Sequence, residues 1–213
     1  MTSKLFRYVA VATSLCATTM VAGCGYARDS RSPSRLVIDA LQGAPGANPG
    51  TLGGNLLSDV ISLLTSPAPC SDFTPCTTFW NDVGEVALRV QLRDIGSITA
   101  PTTVSSLNAV TINRYHVAYR RADGRNTQGV DVPYAFDSGL TFTVPADGTA
   151  ASAGFDLVRN VAKREAPLAA LATGETFITM IADVTFYGRD LAGNDLSVTG
   201  SIGITFGNFV DEN

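Results

Sequence analysis

From residue 85 onward, apolar and polar positions alternate with a period of two. Val86, Leu88, Val90 and Leu92 are interleaved with Ala87, Arg89, Gln91 and Arg93, the pattern of a strand with one buried and one solvated face. Val110 and Ile112 open another strand, and Tyr115, Val117 and Tyr119 continue it in the opposite phase. That change of phase predicts a bulge near Asn113 and Arg114. Leu140, Phe142 and Val144 mark a further strand, closed by Pro145-Ala146-Asp147-Gly148, and Phe155 and Leu157 begin the next. The last fifty residues carry the clearest signal. Ile178, Met180, Ala182, Val184 and Phe186 share one face, as do Leu196, Val198, Ile202, Ile204 and Phe206, with a polar turn at 188–195 between them. Two long strands in matched phase predict an antiparallel hairpin.

Upstream the pattern is less regular. Residues 35–41 read as a first strand, ended by the Gly/Pro-rich loop 43–50. Residues 55–64 suit either a buried strand or a short helix. Asp123-Gly124 marks a turn, and the Ala-rich segment 161–171, around Pro167, reads as a crossing between sheets. At least seven short strands separated by turn signals predict an all-β, antiparallel two-sheet sandwich. No repeat of 20–50 residues is visible, so residues 35–213 are read as one domain.

Composition narrows the function. With 213 residues, 45% of them hydrophobic, the chain can bury a core. A formal charge of −4 and scattered basic residues argue against a nucleic-acid partner. His116 is the single histidine, mid-strand, and no G-x-S-x-G, H-E-x-x-H, phosphate-binding or dinucleotide-binding glycine motif accompanies it. No catalytic residue and no cofactor are therefore expected.

The N-terminus reads as an export signal over residues 1–23. Lys4 and Arg7 precede an apolar run from Tyr8 to Met20, too short to span a bilayer, and no acidic residue comes before Asp29. Val21-Ala22-Gly23-Cys24 resembles the lipobox of bacterial lipoproteins. The resemblance implies cleavage of the signal helix before Cys24 and lipidation of its thiol, and two or more acyl chains anchor stably where one does not. Gly25 at the following position implies, by the same resemblance, an outer-membrane destination, facing either the periplasm or the cell surface. Residues 24–34 are polar and read as a flexible lipidated tether. Loss of 1–23 leaves 13 basic and 19 acidic residues, a net charge of −6. Of the remaining cysteines, Cys70 and Cys76 have five residues between them, close enough for a local disulfide in an oxidising compartment.

A second resemblance concerns the fold. Asp190-Leu191-Ala192-Gly193-Asn194 between two strands resembles a turn common near the end of bacterial immunoglobulin-like and fibronectin-type modules. The mature chain, especially residues 119–126 and 184–190, is similar to a group of bacterial lipoproteins from which no activity carries over. The resemblance implies an immunoglobulin-like sandwich. The Cys…Trp…Cys pattern of antibody domains is missing.

Three groups of residues are candidates for binding. Arg120, Arg121 and Arg125 form the densest basic patch, suited to gripping an anionic group or to keeping strand edges apart. Residues 131–137 form a Pro-containing loop that brings two aromatics, Tyr134 and Phe136, to a prospective partner-binding edge. Asp190, Asn194 and Asp195 put three oxygen-bearing side chains in one turn, a weak calcium candidate that also has plain turn chemistry. The expected function is a lipid-anchored cell-envelope protein whose non-catalytic domain binds or scaffolds an envelope protein or glycan. The alternatives are a glycan-active envelope enzyme using an Asp/Glu pair and a calcium-dependent adhesion module.

Overall fold

A computed structural model describes residues 32–174 and 176–209. The expected signal segment, the expected lipidation position Cys24 and the expected tether up to residue 31 lie outside the described residues. The chain is all-β. Its strands, in order, are β1 (Ser34–Ala44), β2 (Asn55–Asp59), β3 (Ser62–Leu64), β4 (Cys76–Thr78), β5 (Asp82–Leu92), β6 (Gly96–Ser97), β7 (Ala100–Pro101), β8 (Val110–Arg120), β9 (Phe136–Val144), β10 (Ala151–Val158), β11 (Ile178–Asp190) and β12 (Asp195–Gly207). A four-residue helix, α1 (Asn160–Lys163), and a 3-10 turn (Leu168–Leu171) link β10 to β11. The ambiguous segment 55–64 resolves into the two strands β2 and β3.

Two main sheets form, one in the order β1-β5-β10 and one in the order β2-β12-β11-β8-β9, with the small pairs β3-β4 and β6-β7 beside them. All pairings are antiparallel except that of β2 with β12. The period-two residues fall where alternation requires. Val86, Leu88 and Val90 of one sheet and Val117, Val184 and Ile204 of the other belong to one buried cluster, so the sheets share a core. The β11–β12 register pairs Met180 with Ile204 and Ala182 with Ile202, and the strands run on until only residues 191–194 remain as the turn. That turn is half the length expected from the polar run, because Gly188 to Asp190 stay paired with β8. In β8 the register shifts between Ile112 and Arg114 against both neighbours, passing over Asn113.

Polar side chains tie the two sheets together. The Tyr119 hydroxyl of β8 donates to the Leu157 carbonyl of β10 at 2.7 Å, and the Asp156 amide donates to the Tyr115 hydroxyl at 3.2 Å. Tyr115, Phe155 and Phe186 stack edge-on, with ring centroids 5.2 and 5.3 Å apart along the chain of contacts. Two glycines permit this closeness. A Cβ on Gly84 would lie 2.4 Å from the Phe155 ring, and one on Gly200 would lie 2.7 Å from Ile38, whose side chain carries β1 onto β12.

The strand directions define two poles, about 35 Å apart for an eleven-residue strand. The chain enters at one of them. Ser32 and Ser34 are buried there, Ser34 pairs with Leu92, and the β5–β8 connection and the β11–β12 turn lie alongside. The other pole holds loop 121–135, the disulfide segment, α1 and the end of β12.

Candidate functional site

The Arg patch and loop 121–135 sit at the pole away from the chain's point of entrance. Arg120, at the end of β8, donates through Nε to Asp183 on the adjacent strand β11 at 2.7 Å, and the Ser201 hydroxyl donates to the same carboxylate. Asp183 is held below the ordinary carboxylate range: burial would raise it, but Arg120 and Ser201 outweigh that. Arg121 and Arg125 both reach Asp123, at 2.7 and 3.0 Å, and the Arg121 hydrogen bond is the chief reason the Asp123 carboxyl is held far below its usual range. Two carboxylates thus answer three guanidinium groups, which leaves one net positive charge and makes the patch a weak general anion trap. Arg125, with 65% of its side chain exposed, is the outermost of the three.

The loop itself is built on hydrogen bonds. The Thr127 carbonyl accepts from the amides of Val130, Asp131 and Val132, the Gly129 amide donates to Val132, and the Ala135 amide donates to the Gln128 side chain. The Arg121 amide donates to the Asn126 side chain and so closes the preceding turn. Gly129 has a φ of +75°, and a Cβ there would run into the Tyr134 hydroxyl at 2.4 Å. Glycine is therefore what lets Tyr134 fold back over the loop. Tyr134 and Val130 remain exposed at 54% and 66%.

Phe136 has a different place from the one expected. It is the first residue of β9, only 6% exposed. Its ring meets Tyr115 edge-on at 6.2 Å and carries the Arg159 guanidinium over its face at 4.1 Å. The strand begins four residues earlier than the Leu140-Phe142-Val144 alternation indicates, because Phe136 pairs with Val117 and faces inward. Phe136 is a core residue, and Tyr134 alone of the two aromatics lies at the surface.

His116 and Arg114 share one carboxylate, Asp137, at 3.2 and 2.9 Å, on the outer face of the five-stranded sheet. The Arg114 guanidinium lies 4.0 Å above the Tyr187 ring. This polar face pairs its charges internally, as Arg189 does with Asp195 at 2.7 Å.

At the opposite pole Asp190 is 3% exposed and is used structurally. Its Oδ1 accepts from the Asn194 amide at 2.8 Å. Its Oδ2 accepts from the Asn194 side chain at 2.8 Å and the Ser32 hydroxyl at 2.9 Å. Burial works against ionisation of Asp190, yet these donors hold its carboxyl below the ordinary range. Among the described residues no group of three His, Cys, Asp or Glu side chains is placed to hold a metal ion.

Cys70 and Cys76 form a disulfide, with their Cα atoms 5.3 Å apart. It closes the segment leading into β4, which pairs with β3 through Leu64 and Cys76, and it leaves Phe73 fully exposed at the loop tip. Beside it a shallow groove is lined by Thr77, Phe79, Lys163, Arg164, Ala169 and Ala172, with Arg164 stacked over Phe79 at 4.7 Å.

One group has no counterpart in the sequence reading. Lys163, the last residue of α1, is buried, and its Nζ donates to Asp82 Oδ1 at 2.8 Å and to the Asp59 carbonyl at 2.7 Å. Asp82 also accepts from the Gly46 amide and the Ser58 hydroxyl. Burial pushes the Asp82 carboxyl up against the pull of these donors. The four segments brought together are the 43–50 loop, β2, β5 and α1, so the network fixes the pole that carries loop 121–135. The only sequence signal was a lysine inside an Ala-rich crossing segment, which does not distinguish an inward from an outward side chain.

No protein-family model matches the chain, and a search of curated proteins finds no match either.

Proposed function

We propose that this protein is a lipid-anchored component of the bacterial outer membrane whose immunoglobulin-like domain binds or scaffolds an envelope protein, without catalysis. The strand order supports the immunoglobulin-like reading. On this reading β1-β5-β10 are strands A, B and E, and β12-β11-β8-β9 are G, F, C and C′, with β2 added along the edge of the G strand. Val21-Ala22-Gly23-Cys24 supports the anchor, and the Cys70–Cys76 disulfide is consistent with an oxidising compartment.

The observation that carries the binding reading is the hydrogen-bonded loop 121–135 at the pole away from the tether. It presents Arg125, Val130 and Tyr134 on a backbone already ordered by its own contacts. A backbone already ordered loses little entropy on binding, and tyrosine and arginine are the residue types favoured at interface hot spots. The supporting experiment is cross-linking in cells with a photoreactive phenylalanine in place of the exposed Val130 in the full-length protein. Capture of one recurrent, near-stoichiometric envelope protein, lost when Arg125 is replaced by Ala, is the expected result. Capture of nothing above background overturns the binding reading.

A further inference from the structure

The pole where the chain enters has an unusual surface. Between Asp94 and Arg114 the sequence runs for nineteen residues without a charged side chain or a histidine, although most of this stretch is a surface connection. Its first part folds into the β6–β7 hairpin. Asp94 Oδ1 accepts from the Gly96 amide, the Ala100 amide donates to the Ser97 hydroxyl, and the Thr102 amide donates to the Ile95 carbonyl. With its backbone satisfied in this way, the hairpin holds Ile98 fully exposed at its tip and Ile95 at 72% exposure. Val104 and Leu107 follow, both about half exposed. Leu191, in the β11–β12 turn, joins them, because its amide donates to the Ala109 carbonyl two residues beyond Leu107.

The same pole receives the chain from the N-terminus. The Ser32 hydroxyl donates to Asp190, and the Arg93 amide donates to the Pro33 carbonyl at 2.8 Å. Ser32 is thus fixed between the root of the hairpin and the β11–β12 turn. From Cys24 to Ser32 there are eight peptide steps, at most about 30 Å of chain. An acylated Cys24 therefore keeps this pole within about 30 Å of the lipid surface, whereas the pole bearing loop 121–135 is not tied to it directly.

We infer that the apolar pole formed by Ile95, Ile98, Val104, Leu107 and Leu191 is a membrane foot, resting in the interface of the leaflet that holds the Cys24 lipid. The inference rests on the lipid-anchor reading above and adds an orientation to it. Isoleucine and leucine side chains among Ser, Thr and Gly, without charges to desolvate, suit the shallow boundary between headgroups and acyl chains. The flanking charges are Arg93 and Asp94 at the hairpin root, the mutually paired Arg189 and Asp195 on either side of the β11–β12 turn, and Asp147 in the 145–150 loop; none of them falls within 95–109 or 191–194. An upright domain then displays Tyr134, Val130 and Arg125 roughly one strand length away from the membrane, where a partner can reach them.

The single tryptophan, Trp80, precedes β5 and so lies at the far pole, which allows a depth measurement. Full-length lipidated protein is reconstituted in phosphatidylethanolamine and phosphatidylglycerol vesicles with brominated acyl chains, which quench tryptophan only on close approach. In a Trp80→Phe background, Ile98→Trp and Leu191→Trp are expected to lose emission and shift to the blue. Val130→Trp, a control at the far pole about as exposed as Leu191, is expected to do neither. Emission of Ile98→Trp that is unaffected, or affected no more than that of Val130→Trp, overturns the foot. Flotation separates this from failure of the anchor: wild-type protein floats with the vesicles and Cys24→Ser does not. A wild-type chain that fails to float overturns the anchor and the foot together, whereas one that floats with an unquenched Ile98→Trp overturns the foot alone.

Discussion

Lys163 Nζ lies 2.8 Å from Asp82 Oδ1, and each side chain is only 1% exposed. A pair so deeply buried contributes little net stability, since desolvation of both ions offsets most of their attraction. Removing one partner is a different matter, because the survivor is left charged and uncompensated. Lys163→Met is expected to cost about 3–5 kcal/mol, and Lys163→Met combined with Asp82→Leu much less than the sum of the two single changes. Urea unfolding of the four proteins gives the coupling directly. Additive single costs would mean that the network does not act as a unit.

Acid stability follows from the depressed carboxyls. Asp183 and Asp190 have folded values below the ordinary carboxylate range. Their contribution is therefore complete above the unfolded value near pH 4 and is lost as the pH falls through the folded values. Melting temperature should be level with respect to these groups from about pH 5 to 8 and drop below about pH 4. Asp190→Ala removes the acceptor of Ser32 and Asn194 and is expected to cost about 1–3 kcal/mol at neutral pH, with a shallower acid limb. An acid limb as steep as that of the wild type would show that Asp190 is not among the groups responsible.

The alkaline side is governed by tyrosines with the opposite sign. Burial pushes the Tyr119 phenol well above its usual value, so the folded state holds the neutral form and its stability is present below about pH 10 and lost as the pH rises beyond it. Tyr119→Phe leaves the Leu157 carbonyl without the hydroxyl that now serves it, at a cost of about 1–2 kcal/mol near neutrality. In return the variant should lose less stability between pH 9 and 11 than the wild type. Tyr115, also raised by burial, keeps part of the slope.

How much of this was readable from the sequence depends on what signalled each part. The β11–β12 hairpin is legible almost residue by residue, because apolar side chains alternate with Thr, Asp and Tyr on β11 and with Ser, Thr and Gly on β12, and so fix the register. β10 was seen only from Phe155, since its first half is Ala151-Ser152-Ala153-Gly154, small residues that carry no amphipathic pattern although they pair with β5. The segment 55–64 could not be assigned because its apolar run fits either period, and it is the parallel pairing with β12 that selects strand. At the surface, the Arg patch was visible, but its neutralisation by Asp123 and Asp183 was not: Asp183 is sixty-three residues away from Arg120 and meets it only through the β8–β11 register. The uncharged 95–113 stretch carries no signal by itself, because nothing in one dimension places it beside Ser32.

Tyr134 and Phe136 provide the sharpest contrast between fold and function. They are two residues apart, and a strand alternates its faces, but Tyr134 precedes β9 and stays in the loop while Phe136 starts the strand and turns inward. Phe136→Ala removes a ring packed between Tyr115 and Arg159 and is expected to cost about 3–5 kcal/mol, with loss of partner capture only as a consequence of unfolding. Tyr134→Ala should stay within about 0.5 kcal/mol of the wild type, as substitutions away from packed features do, while abolishing capture at the loop. Unfolding curves and cross-linking yields for the two variants separate these outcomes. If Tyr134→Ala captures the partner as well as the wild type, the binding surface lies elsewhere on the pole, and the exposed Phe73 and Trp80 around the disulfide become the residues to change next.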